Sequence, residues 1–169
     1  SELQRAVDDD AIICCDAGEN RIFMAHYFRT KGPGTFIQSA GVGGMGYAIP
    51  AALAAKLVFP ERQAVAFCGD GGFAMTMNGL LTAREEGIPI VVVVMNNSAL
   101  GWVKHEQAVN SREIACDFQS TDHAEIARSF GCRGWRVDAP GDLSRVLGEA
   151  LSAGEPAVVD VVTTLSESY

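Results

Sequence analysis

The sequence lacks any apolar run long enough to span a bilayer, and its amino end, Ser1-Glu2-Leu3-Gln4-Arg5, lacks the regions of a secretory leader. It is short of positive charge: 13 Lys and Arg stand against 21 Asp and Glu, a formal net charge of −8. That balance argues against general affinity for nucleic acid or for an anionic membrane, while leaving room for a local cationic phosphate site. It has no C-x-x-C spacing. The five cysteines, Cys14, Cys15, Cys68, Cys116 and Cys132, are odd in number and three lie in apolar runs, the pattern of buried thiols in a reducing compartment rather than of disulfides or zinc ligands. Internal repeats, low-complexity tracts and linkers are also missing. A cytoplasmic protein is expected, and 169 residues amount to one domain with a core of its own.

What is present centres on Ala64 to Asn97. Ala64-Val65-Ala66-Phe67-Cys68 is a short apolar run closed by Gly69-Asp70-Gly71-Gly72, and Ile90 to Met95 is β-branched enough to be a buried strand ending in Asn96-Asn97. Phe73 to Glu86 between them has helical character. Strand, glycine turn, helix and strand make a βαβ unit, whose strands are parallel and finish at one sheet edge. Ligands of open α/β sheets bind at that edge, so Asp70 and Asn97 face one crevice. A carboxylate and an amide oxygen are hard ligands suited to Mg2+, which usually keeps phosphate oxygens in its shell. Gly71 and Gly72 open the helix, where the lack of Cβ atoms lets a phosphate approach free N–H groups.

Along the rest of the chain, Ala11 to Cys15 is a first strand ended by Asp16-Ala17-Gly18-Glu19-Asn20, with a short helix over Arg21 to Phe28. Lys31 to Gly34 is a turn, Thr35 to Gln38 a short strand, and Gly41-Val42-Gly43-Gly44-Met45-Gly46 a loop opening a helix from Tyr47 to Leu57. Asp122-His123-Ala124-Glu125 has capping-box spacing, so a helix should run to Phe130 and stop at Gly131. Cys132 to Val137 is strand, Asp142 to Ala153 helix after the Pro140-Gly141 turn, and Ala157 to Thr163 a last strand. The expectation is a three-layer αβα fold on a mostly parallel six-stranded sheet.

Gly-Asp-Gly followed at this distance by Asn-Asn resembles the thiamine diphosphate motif of the acetolactate synthase and pyruvate decarboxylase group. The loop Gly41 to Ala52 is similar to that group's Gly-x-Gly-x-Met-Gly-x-x-x-Pro-Ala-Ala, with Met45 and Pro50 in place. The resemblance implies Mg2+ held by Asp70, Asn97 and the backbone carbonyl of Ala99. It also implies cofactor contacts at Gly18, Asn20, Gly69, Gly71, Gly72, Leu100 and Gly101. By the same resemblance Met45 is the apolar wedge that bends the cofactor and the Gly43 carbonyl accepts from its 4′-amino group, so that the cofactor takes its own C2 proton, a matter of positioning. Those two are the catalytic candidates, and the substrate that the resemblance implies is a 2-oxo acid.

Three competing readings and two departures stand beside it. Gly41 to Gly46 also matches G-x-G-x-x-G, with Asp70 placed as a ribose-binding acid, so a nicotinamide dehydrogenase is an alternative; it leaves Asn96-Asn97 without work. A subunit of a split 2-oxo acid decarboxylase and a non-catalytic cofactor-binding relative are the others. Acetolactate synthases usually show Gln-His where this chain has Glu19-Asn20, and a carboxylate beside a diphosphate is expected to point away or bind something else. They commonly read Gly-Met-Val-x-Gln-Trp where this chain has Gly101 to Glu106. Glu106 in place of the tryptophan lining the acceptor channel is expected to repel an anionic acceptor and to leave acetolactate formation weak, unless it points to solvent and Trp102 walls the channel. His105 reads as a solvated side chain, and His26 and His123 carry less functional signal still.

The resemblance covers only the diphosphate-binding third of a family member. The pyrimidine-binding domain, whose glutamate protonates the cofactor's N1′ from a partner chain, is not in this sequence. An oligomer with its active site at an interface is therefore expected, and the chain is either one subunit of a split enzyme or a fragment, as a start at Ser1 suggests.

Overall fold

A computed structural model describes residues 1–110 and 112–166. Strands β1 (Ile12–Cys15), β2 (Phe36–Gln38), β3 (Ala64–Gly69), β4 (Val91–Asn96), β5 (Arg133–Val137) and β6 (Ala157–Val162) form one sheet in the order β2-β1-β3-β4-β6-β5. Every pairing is parallel, so the expected mostly parallel sheet is wholly so.

Alternate residues of the central strands feed two separate cores, as the period of two in a strand requires. Ile12, Cys14, Ala66, Cys68, Val92 and Val94 face α3 (Ala48–Val58), α5 (Gly79–Glu85) and α7 (His123–Ser129). Ile13, Cys15, Val65, Phe67, Val91 and Val93 face α1 (Glu2–Ala6), α2 (Glu19–Tyr27) and α8 (Leu143–Leu151). Burial on both faces is why these strands read as continuous apolar runs. All five cysteines are free and buried in this packing, and burial pushes the Cys14 and Cys15 thiols up to about 12, which makes them inert. Among the described residues no helix is long and apolar enough to cross a membrane.

The single helix expected over Phe73 to Glu86 is two, α4 (Asp70–Thr76) and α5. The break lies where α5 crosses α3 closely: a Cβ on Gly79 would stand 2.9 Å from Ile49 Cγ2. The capping box before α7 is half formed. Asp122 accepts from the Glu125 N–H at 2.8 Å, but the Glu125 carboxylate turns to Arg128 instead of reaching back. Gly131, in the left-handed region with φ 76°, ends that helix as expected.

Candidate functional site

Strands β3 and β4 run in register, Gly69 opposite Met95, so that Asp70 and Asn96-Asn97 leave the sheet side by side. Asp70 is the first residue of α4 and 4% exposed. Its Oδ1 accepts from the Gly71 N–H at 2.9 Å and its Oδ2 from the Ala99 N–H at 3.2 Å. Burial raises its pKa, and these neutral N–H donors offset the penalty only in part.

Both asparagines fold back onto the N–H two residues ahead. Asn96 Oδ1 accepts from Ser98 at 3.3 Å and Asn97 Oδ1 from Ala99 at 3.2 Å, two successive Asx turns. They throw Ser98 into the left-handed region, φ 56°, a strained conformation for a residue with a Cβ and one that clusters at functional sites. The strand terminator and the candidate ligand are thus one device. An antiparallel strap holds the turn from outside, Leu100 N–H to Cys116 O at 2.7 Å and Phe118 N–H to Ser98 O at 2.8 Å. The helix α6 (Gly101–Val109) follows.

The glycine loop is tied to the same edge by Asp16, read from sequence only as the end of a strand. Fully buried, Asp16 accepts from the N–H groups of Ala17 at 2.8 Å, Gly46 at 3.0 Å and Ala48 at 3.2 Å, which joins the loop to the end of β1. It also accounts for Gly72, where a Cβ would stand 3.0 Å from Asp16 Oδ2. At Gly71 a Cβ would stand 2.8 Å from Leu100 Cδ2 and 2.8 Å from Met45 Cε. The chain's own side chains crowd both glycines. This differs from the expectation that open space for a phosphate is what demands glycine there.

These elements surround a cavity of about 650 Å³ at the carboxyl edge of the sheet. Gly18 and Asn20 line it from the end of β1, Met45 from the glycine loop, and Gly69, Asp70, Gly71 and Gly72 from the start of α4. Asn97, Ala99, Leu100 and Gly101 close it from the approach to α6. Gly43 alone of the expected site residues is not in the wall; its backbone, φ 68°, turns toward Arg21, whose Nη1 would stand 3.2 Å from a Cβ there. A further apolar side, with Phe23 and Tyr27 of α2 and Met95 of β4, carries no motif that sequence could have flagged.

Glu19 lines the cavity too and binds His105, Oε1 to Nδ1 at 2.5 Å, while His105 Nε2 lies 3.1 Å from the Leu165 carbonyl oxygen. The expectation of a solvated His105 therefore fails, because α6 docks its ring onto the first residue of α2. The Glu106 carboxylate is exposed, accepts from Trp102 Nε1 at 3.3 Å and takes no part in the cavity wall, which Trp102 joins instead. Of the two orientations expected for Glu106, this is the one in which it points away and Trp102 walls the cavity. His26 is exposed on α2. His123, by contrast, is buried behind the site, stacks edge-on to Phe73 at 5.0 Å, and shares Asp160 with Asn96 and Arg136.

One cluster elsewhere has metal-binding residue types, Glu113, Cys116 and Asp117. Lys104 Nζ already sits between its carboxylates, 2.5 Å from Asp117 and 3.5 Å from Glu113.

The chain matches the family model for the thiamine pyrophosphate enzyme, C-terminal TPP binding domain, over residues 16–161. A Bacillus subtilis protein described as thiamine pyrophosphate-containing, YdaP, is 40% identical over 163 residues, 96% of this chain and 28% of that protein. Acetolactate synthase of Bacillus subtilis is 38% identical over 168 residues, 99% of this chain and 30% of the relative. The acetolactate synthase large subunit of Parasynechococcus marenigrum is 36% identical over 167 residues, 95% and 27%. The chain therefore spans under a third of the length of these relatives.

Proposed function

The chain belongs to the thiamine pyrophosphate enzymes, as their C-terminal TPP-binding domain, and from that premise we propose that it binds Mg2+ and the diphosphate of thiamine diphosphate for an acetolactate synthase-like enzyme that decarboxylates or joins 2-oxo acids. The observation that carries this reading is the convergence of Asp70 Oδ2 and Asn97 Oδ1 on one N–H, that of Ala99, each at 3.2 Å in the cavity wall. The donor set fits the cation. A carboxylate 4% exposed, with backbone N–H groups as its hydrogen-bond partners and a raised pKa, gains from an adjacent divalent charge, and an amide oxygen and the Ala99 carbonyl complete a hard oxygen set.

Each part of the wall has a task in this reading. The first-turn N–H groups of α4 other than that of Gly71, which Asp70 Oδ1 takes, would hold the diphosphate together with Gly18 and Asn20 at the start of α2. Met45, with its Cε close to Gly71, would support the cofactor's bent form, and Gly43, outside the cavity wall, would offer its carbonyl to the 4′-amino group. When bound, thiamine diphosphate supplies the carbanion-stabilising chemistry, and this chain supplies binding and orientation. Trp102 and Val103 exclude water from one side of the cavity.

A pyrimidine-binding domain outside this chain would provide the activating glutamate, in an oligomer with the site at the interface. Supporting this, the rim of the glycine loop is apolar and open, with Val42 103% and Met75 61% exposed. The nicotinamide reading is weaker because it leaves Asn97, whose Oδ1 converges with Asp70 Oδ2 on the Ala99 N–H, without a task. Titration of the full-length protein with thiamine diphosphate plus Mg2+, and separately with NADH, tests the proposal. Saturable thiamine diphosphate binding with turnover of a 2-oxo acid is expected; NADH binding alone would overturn it, and cofactor binding without turnover would leave a non-catalytic relative.

A further inference from the structure

Among the side chains of the described residues lining the cavity, Glu19 and Asp70 are carboxylates and none is Lys, Arg or His. Such a wall repels an anionic ligand unless each carboxylate is offset. In the function proposed above, on which this inference rests, the divalent cation offsets Asp70, and nothing yet offsets Glu19.

The structure offers one group that can. The carboxylate of Glu19 is 13% exposed and meets His105, itself 22% exposed, at 2.5 Å. The other ring nitrogen of His105 faces the Leu165 carbonyl oxygen at 3.1 Å. With an acceptor on each side, only the doubly protonated ring donates to both. The hydrogen bond to Glu19 raises the His105 pKa, burial opposes it, and the Leu165 carbonyl and Glu113 add to the rise. The other nearby charges are engaged elsewhere: Lys104 with Asp117, Glu106 with Trp102, and Arg21 with the Ser39 carbonyl. Glu19 Oε2 and Asn97 Nδ2 each lie 2.9 Å from where a Cβ on Gly101 would stand, so glycine at the start of α6 is what lets the pair close beside the candidate metal ligands.

We propose that His105, as an imidazolium behind Glu19, is the positioning residue that makes the phosphate end of this cavity accept an anion, so that cofactor affinity depends on pH. His105 touches neither cofactor nor substrate; it acts through Glu19. Affinity is full while His105 is protonated and falls as pH rises through its raised pKa, because Glu19 then presents an uncompensated charge to the diphosphate.

The test is calorimetric titration of the full-length protein at fixed Mg2+ with thiamine diphosphate, and in parallel with inorganic pyrophosphate, from about pH 6 to about pH 9. Wild-type affinity is expected to fall about tenfold across this range. Glu19→Gln should bind with a flat profile, His105→Gln should bind weakly throughout, and Glu19→Gln/His105→Gln should recover the affinity of Glu19→Gln. A lost fold would not produce that rescue. An unchanged profile in Glu19→Gln, or His105→Gln binding like wild type, would overturn the inference. If pyrophosphate keeps the profile while thiamine diphosphate does not bind, the inference stands and the cofactor reading falls; if neither ligand binds, both fall.

Discussion

Asp70 and Asn97, which leave neighbouring strands, aim their side-chain oxygens at one hydrogen, the N–H of Ala99, each at 3.2 Å. Two hard oxygens gathered on a neutral donor, one from a carboxylate that burial has pushed up in pKa, form an arrangement that a divalent cation improves and a bare proton tolerates.

Stability should therefore follow this carboxylate. A folded-state pKa above the unfolded one stabilises the fold at pH below both values, and that contribution disappears as pH rises through the folded value, so ionised Asp70 is a burden on the metal-free protein at neutral pH. Asp70→Asn is expected to raise the metal-free melting midpoint by about 2–4 °C, the shift that ~1 kcal/mol gives a domain of this size. Mg2+ should raise the midpoint of wild type and not of the variant. Calorimetric scans with Mg2+ and with EDTA check this, and an Asp70→Asn midpoint below wild type in EDTA would contradict it.

Asp16 is expected to matter as much to the loop as to the core. Asp16→Ala strands the buried N–H groups of Gly46 and Ala48 and should cost about 2–4 kcal/mol in urea unfolding. Hydrogen exchange should quicken at Gly46 and Ala48 beyond the rest of the sheet edge.

Much of the frame was legible. Apolar runs closed by Gly69 and by Asn96-Asn97 report strand ends wherever the sheet is buried on both faces, and the spacing of Asp70 and Asn97 placed them together. The break before Gly79 was not legible, because it depends on how closely α5 crosses Ile49 of α3. The Glu19 and His105 pair is 86 residues apart and has no local signature, and Asp16 acquires its role only once the glycine loop folds back over β1. The facing of Glu106 stayed open in the sequence for a related reason: which side of α6 meets the cavity is set by the docking of His105 and Trp102, not by the order of residues.

That facing gives a further expectation. With Glu106 exposed and Trp102 in the cavity wall, Glu106→Gln should alter kcat/KM of the complete enzyme on a 2-oxo acid by less than about threefold, and Trp102→Ala should lower it more than about tenfold, ~1.4 kcal/mol in the barrier. The opposite ranking in steady-state assays would restore Glu106 to the channel.

Behind the site, Asp160 accepts from Asn96, from the His123 backbone N–H and from Arg136, each at 3.0 Å. Burial works to raise its pKa, but hydrogen bonds from His123 and Asn96 outweigh it and leave the carboxyl below its ordinary value. A depressed pKa contributes stability at pH above the unfolded carboxylate range, and that stability is lost as pH falls through the folded value. Asp160→Ala should cost about 3–5 kcal/mol at pH 7, as breaking a buried charge network does, and less at an acid pH where the folded-state value is being crossed. Equal losses at both pH values in denaturant titrations would show that the charge is not what stabilises the network.

The most direct measurement is calorimetric titration of thiamine diphosphate into the full-length protein at fixed Mg2+, wild type beside Asp70→Ala. Wild type is expected to bind the cofactor in a manner abolished by EDTA, and Asp70→Ala to bind at least about 100-fold more weakly, near 2.7 kcal/mol. Equal affinity in the two proteins, or wild-type binding that EDTA leaves unchanged, would contradict the assignment of Asp70 and Asn97 to the metal that holds the diphosphate.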